Sequence, residues 1–229
     1  MTRLITDLGD AALLLPAAIV IAGFLLVLRP TRVAALWLSA IALCGVLTLA
    51  TKFFFRVCTD LLPGWSLVSP SGHASLSTTF FVCGALLMSA DRGRRTRMVL
   101  LLGSVLIFLA VGLSRIRLGA HSPAEVAFGW AIGLCGVAWF AAIFFTRQTR
   151  ALPWAGLAGA IVALALLMHG KHIRVEHWLA RWVEELQLAS AVQGIACPVN
   201  TEVEQSNPHL LPRMPVPGGE TVLRTGPVR

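Results

Sequence analysis

The sequence predicts an all-α polytopic membrane protein: six transmembrane helices in a bundle over residues 1–170, an amphipathic interfacial helix over 171–195 and a disordered, proline-rich tail over 196–229. Three observations predict it. Of the 229 residues 56% are hydrophobic and only 13% charged, with a mean hydropathy of +0.76, which is too little polar material to cover a soluble domain. The charges gather in short connections between uncharged runs at 11–28, 33–51, 61–90, 98–114, 126–146 and 151–170, and a helix needs roughly 20 such residues to cross a bilayer. After Gly170 the apolar runs stop, first for mixed charge and then for proline.

The first run is expected to remain as a helix. Arg3 ahead of it is offset by Asp7 and Asp10, which is not the basic leader of a cleaved signal peptide. The turn Arg29-Pro30-Thr31-Arg32 joins it to the second run as a hairpin. The 30-residue run carries Pro63-Gly64-Trp65, so it divides into a loop and a third helix that starts at Pro70 or Ser71 and ends near Ala90. A fourth helix is expected from Arg97 to Leu113, and a fifth opens at Ser122-Pro123-Ala124-Glu125. The sixth follows the basic turn from Arg147 to Pro153. Beyond it, Val175, Leu179, Trp182, Val183 and Leu186 fall at helical spacing among charges, the pattern of a helix lying on a membrane surface or packed on its own bundle. Six prolines and no aromatic residue after Cys197 mark a tail that cannot bury a core.

The net charge of +8 would suggest nucleic acid in a soluble protein, but the membrane explains it better. Arginines cluster at 29 and 32, at 92, 94, 95 and 97, and at 147 and 150, in alternate connections, as cytoplasmic loops do. The loops 52–71 and 114–125 then fall on the outer face. Cys44, Cys83 and Cys135 lie inside apolar runs and are expected to be small buried hydrophobes, whereas Cys58 and Cys197 are readable equally as a disulfide or as two free thiols.

Three polar clusters reach that outer face. Lys52 and Arg56 stand one helical turn apart at the end of the second helix. Ser69-Pro70-Ser71-Gly72-His73 opens the third, and Ser114-Arg115 leads through a tight loop to His121 and Glu125. Polar groups beside membrane helices are costly, so their convergence points to function. Together they suit a phosphate: free N–H groups and the positive dipole end of a helix at Ser71 and Gly72, with Lys52 and Arg115 adding charge. His73 and His121 can serve as general acid and nucleophile, and Glu125, four residues after His121, can orient its Nδ1–H. Blander readings stand beside these. Ser71 is also an ordinary N-cap, Ser122-Pro123-Ala124-Glu125 is also a capping box, and Arg115 is also an interfacial anchor.

Pro70-Ser71-Gly72-His73, followed by Ser114-Arg115, five residues and His121, resembles the second and third signatures of the type 2 phosphatidic acid phosphatase (PAP2) family, which shares its site with vanadium haloperoxidases. The resemblance covers roughly 52–136. It implies a helical bundle, a covalent phosphohistidine on His121, leaving-group protonation by His73, phosphate contacts from Lys52, Ser71, Gly72 and Arg115, and no requirement for a metal or other cofactor. Two positions depart from the pattern. The first signature is a lysine, six residues and Arg-Pro, where this chain has Thr59 and Asp60, and the acid after His121 is Glu125 in place of Asp. Arg56 is the nearest substitute for the absent arginine.

These observations predict a metal-independent phosphatase of lipid phosphates or pyrophosphates, such as a prenyl pyrophosphate, phosphatidic acid or phosphatidylglycerol phosphate. The expected location is a bacterial inner membrane with the site facing the periplasm or exterior. The partners expected are a lipid phosphate and the membrane, and no nucleic acid. Alternatives are a lipid phosphotransferase, in which another alcohol replaces water, and a catalytically weak phospholipid-binding scaffold, for which the lost Arg-Pro is the motive.

Overall fold

The computed structural model describes residues 2–28, 31–57 and 69–145, and every regular element among them is a helix. A short helix α1 (Thr2–Asp7) precedes α2 (Ala11–Leu28), α3 (Thr31–Val57), α4 (Gly72–Met88), α5 (Arg94–Arg117) and α6 (Pro123–Phe144). Four of these, α2, α3, α5 and α6, are long and apolar enough to cross a membrane, and α4 is a shorter apolar helix. The expected span at 151–170, the amphipathic helix at 171–195, the tail from 196 and the Cys58 and Cys197 pair all lie outside the described residues.

Helix α4 is the axis of the bundle, packed against α5 and α6 most extensively and also against α3 and α2. Its residues explain this. Ser75, Ser77, Thr78 and Thr79 are small and fully buried, and their hydroxyls turn back onto carbonyls of their own helix, as in Thr78 Oγ1 to Ala74 O at 2.7 Å. A hydroxyl satisfied in this way carries little cost away from water. On α6 the facing residues are Gly129, Gly133 and Gly136. A Cβ at Gly133 would lie 2.6 Å from Ser75 O, and one at Gly129 2.5 Å from Ser71 O. Absence of side chains there is what lets the two backbones approach, the usual way membrane helices gain packing energy. Thr79 Oγ1 also donates across the contact to Gly133 O at 3.0 Å.

Away from the small residues of the α4–α6 contact the bundle is packed by larger apolar groups. Leu14, Leu25, Trp37, Phe80 and Phe140 belong to one buried cluster. Trp37 donates Nε1–H to Ala18 O at 3.0 Å, which satisfies its one polar atom inside that core. Outward faces are apolar too: Ile19, Val27, Val46 and Val99 are exposed. An exterior of that kind is matched to lipid chains, because burial from water is not what drives such helices together.

Several boundaries differ from the sequence expectation. Helix α3 continues to Val57, so Lys52, expected where the loop begins, sits more than a turn inside it. Helix α5 runs from Arg94 to Arg117, which places Arg115 in its last turn and not in a loop. Charged side chains long enough to reach the headgroups do not end a helix. Helix α1 was not expected at all, and Cys135 is exposed on the outer face of α6, in contrast to buried Cys44 and Cys83.

Candidate active site

The starts of α2, α4 and α6 and the ends of α3 and α5 meet at one end of the bundle. What joins α5 to α6 is a tight turn. Gly119 has φ +65, its N–H reaches Ile116 O at 2.9 Å, and Ala120 N–H reaches Arg115 O at 3.1 Å. This is a Schellman closure, which needs a residue tolerant of the left-handed region at position 119. It stops α5 one turn after Arg115 and delivers the chain to His121 two residues later.

Helix α6 then starts by a full capping box. Ser122 Oγ accepts from Glu125 N at 3.2 Å, and Glu125 Oε2 accepts from Ser122 N at 2.9 Å, with Pro123 in the first turn. The same carboxylate does more than cap. Its Oε2 lies 3.1 Å from His121 Nδ1, and its Oε1 accepts from Ser69 N at 2.8 Å. Glu125 O in turn accepts from Ser71 N at 3.0 Å. The capping and imidazole-orienting readings of Glu125 therefore coexist, and the buried side chain also ties the segment before α4 to the loop that carries His121.

A carboxylate at Nδ1 favours the tautomer with its proton there and leaves the Nε2 lone pair free. Burial pushes the His121 imidazole below its ordinary 6.5, and Arg115 and Lys52 push the same way, against Glu125 which raises it. The result is a neutral, nucleophile-ready imidazole near neutral pH.

The start of α4 supplies the facing wall. Ser71 is its N-cap, accepting from Ala74 N at 3.5 Å, and is fully buried. Gly72 follows as the first helical residue, and His73 next to it is partly exposed. Lys52 is buried, with only 7% of its surface exposed, and its Cε is 3.9 Å from where a Gly72 Cβ would stand. Arg115 has its Nε buried with no hydrogen-bond partner among the described residues. The structure thus brings Lys52, Ser71, Gly72, His73, Arg115, His121 and Glu125 to one end of the bundle. Arg56 lies on α3 one turn after Lys52, with its side chain outside the described set, as are Thr59 and Asp60.

One participant escaped the sequence reading. Asp10, buried at the start of α2, places Oδ2 3.9 Å from His73 Nε2. The available signal was an acid directly before an apolar helical run, which marks an N-cap; nothing local indicates that the same acid reaches a histidine 63 positions later.

Comparison with known proteins finds similarity over the same part of the chain. The family model of the PAP2 superfamily matches residues 54–150. A curated relative, described as an uncharacterized 22.5 kDa protein in the cps region of Klebsiella pneumoniae, is 28% identical over 182 residues, covering 73% of this chain and 82% of the relative. No solved structure matches. Lys52 falls just before the matched segment and His73, Arg115, His121 and Glu125 within it, so over 54–150 the chain is similar to the PAP2 superfamily.

Proposed function

We propose that the protein is an integral membrane phosphatase that removes phosphate from a lipid phosphate or pyrophosphate through a phosphohistidine on His121. The observation that carries this reading is the imidazole of His121, held at Nδ1 by Glu125 in the field of Lys52 and Arg115. Such an imidazole can attack an anion only if the anion's charge is neutralised, and two cations at its side do that. The match to the PAP2 superfamily over 54–150 supports phosphoryl chemistry. The apolar exterior supports a substrate that arrives within the bilayer and presents its head at the helix ends.

In the first half-reaction Nε2 of His121 donates its pair to phosphorus. The bond from phosphorus to the leaving oxygen breaks, and that oxygen takes the proton of a protonated His73. In the second half a water attacks phosphorus, His73 takes its proton, and the phosphorus–nitrogen bond breaks to return His121. Lys52, Arg115, Arg56 and the N–H groups around Gly72 hold the phosphoryl oxygens, which gather charge in the transition state. None of these steps calls on a metal ion.

Purified protein offered a panel of lipid phosphates tests the reading. Release of inorganic phosphate in the presence of EDTA is expected. Binding without release would support the scaffold reading, and transfer to an added alcohol in preference to water would support the phosphotransferase.

A further inference from the structure

Asp10 begins α2. One carboxylate oxygen, Oδ1, accepts from Ala12 N at 2.8 Å, and its carbonyl accepts from Leu13 N at 3.0 Å and Leu14 N at 2.9 Å. An N-cap uses one carboxylate oxygen. The second, Oδ2, stands 3.9 Å from His73 Nε2, at ion-pair range. The turn that brings it there is docked rather than loose. A Cβ at Gly9 would meet His73 Cβ and His73 O at 3.4 Å and would collide with Val111. Thr6 and Ser114 share a hydroxyl hydrogen bond of 2.7 Å, which fixes α1 on the end of α5. The carboxylate is therefore delivered to the one of the two site histidines that Glu125 does not serve.

That histidine needs such a neighbour. Its proposed task requires the protonated form, yet Lys52 on α3 stands beside Gly72 and Arg115 lies in the last turn of α5, and both cations oppose a positive imidazole. Other charged or titratable groups on the packed elements include Asp7 on α1, Arg56 on α3, Arg117 on α5, Glu125 on α6 and His121 in the loop before it. A buried carboxylate at 3.9 Å offsets the two cations that the phosphate requires. We infer that Asp10 is a positioning residue for His73, its carboxylate holding the imidazole charged and turned so that the proton reaches the departing oxygen. The inference rests on the phosphatase reading for that last step.

Asp10→Asn is the informative change, because asparagine caps a helix as well as aspartate does while carrying no charge. Asp10→Ser, also a good cap, is the second variant. In the full-length, histidine-labelled protein in micelles, with the His73 resonance assigned by His73→Gln, the His73 titration midpoint is expected to fall by about one pH unit in both variants. The alkaline limb of kcat should move down with it. Turnover of an alkyl phosphate such as phosphatidic acid should drop roughly tenfold or more, with KM unchanged. Nitrophenyl phosphate, whose leaving oxygen needs no proton, should lose little, and Asp10→Glu should recover part of the alkyl phosphate rate. A midpoint that stays put, or equal losses on both substrates, would overturn the inference. Absence of turnover in the unaltered protein would instead sink the phosphatase reading and the catalytic role with it, while the His73 midpoint still decides whether the pair exists.

Discussion

At the scale of single residues the proposed chemistry separates roles that share one side chain. Glu125 caps α6 and also holds His121, and glutamine keeps the first role, since a capping box accepts either residue. Glu125→Gln is expected to leave the protein folded and to lower kcat roughly a hundredfold or more, as when the acid orienting a catalytic imidazole becomes its amide. A loss of thermal stability with an unchanged rate would leave only the cap. The sign of the pH effect follows from His121, whose neutral form attacks. Burial lowers its affinity for protons, so activity should persist on the acid side of 6.5 and fall only as pH drops through the lowered value. Glu125→Gln removes the influence that raises it, so the acid limb should move lower still; an acid limb that moves up would contradict the pairing. Arg56→Ala tests the substitute for the arginine replaced by Thr59. A charge-assisted clamp on a phosphoryl group contributes on the order of 2.7 to 4 kcal/mol, so a loss of about a hundredfold or more is expected. A silent Arg56→Ala together with a large gain from Thr59→Arg would show that the chain works without that clamp.

Among the elements, the α4–α6 contact carries the site at one end, and its glycines set the distance. Because a Cβ at Gly133 meets the carbonyl of Ser75 and the side chain of Thr78, both at 2.6 Å, Gly133→Ala should destabilise the bundle by roughly 1–3 kcal/mol. Thermal unfolding in detergent measures this, and an unchanged midpoint would mean that the helices part easily. Gly72→Ala is the contrast: its Cβ would meet only Thr48 and Lys52 at 3.8 and 3.9 Å, so stability should hold while phosphate turnover falls. Much at this scale was legible in sequence. Ser122-Pro123-Ala124-Glu125 and Ser71-Gly72 announced two helix starts by their caps. Helix ends were less legible, because Arg115 and Arg117 look like loop residues until Gly119, whose φ is +65, is recognised as the true stop. Helix α1 and the reach of Asp10 to His73 depend on tertiary docking through Thr6, Gly9 and Ser114, and no local pattern encodes that.

For the whole molecule, charge is the guide to a proposed orientation in the membrane. Arg92, Arg94, Arg95 and Arg97 crowd the turn into α5 and its first residues, at the opposite end of α4 and α5 from His73 and His121, and Arg97 lies 4.7 Å over the ring of Phe145 at the far end of α6. On the positive-inside bias we propose that this end faces the cytoplasm and the site the outside. In a cysteine-free background, an impermeant reagent on intact cells should label a cysteine at position 64 and spare one at position 93; the reverse pattern would turn the site inward. The central claim, a covalent phosphoryl group on His121, is tested most directly by exposing the purified protein to radiophosphate-labelled lipid phosphate, quenching in alkali and locating the label. A label stable to alkali, lost in acid, carried by the peptide that contains His121 and absent from an inactive His121→Ala is expected. Turnover that survives His121→Ala, or a label that remains in that variant, would contradict it.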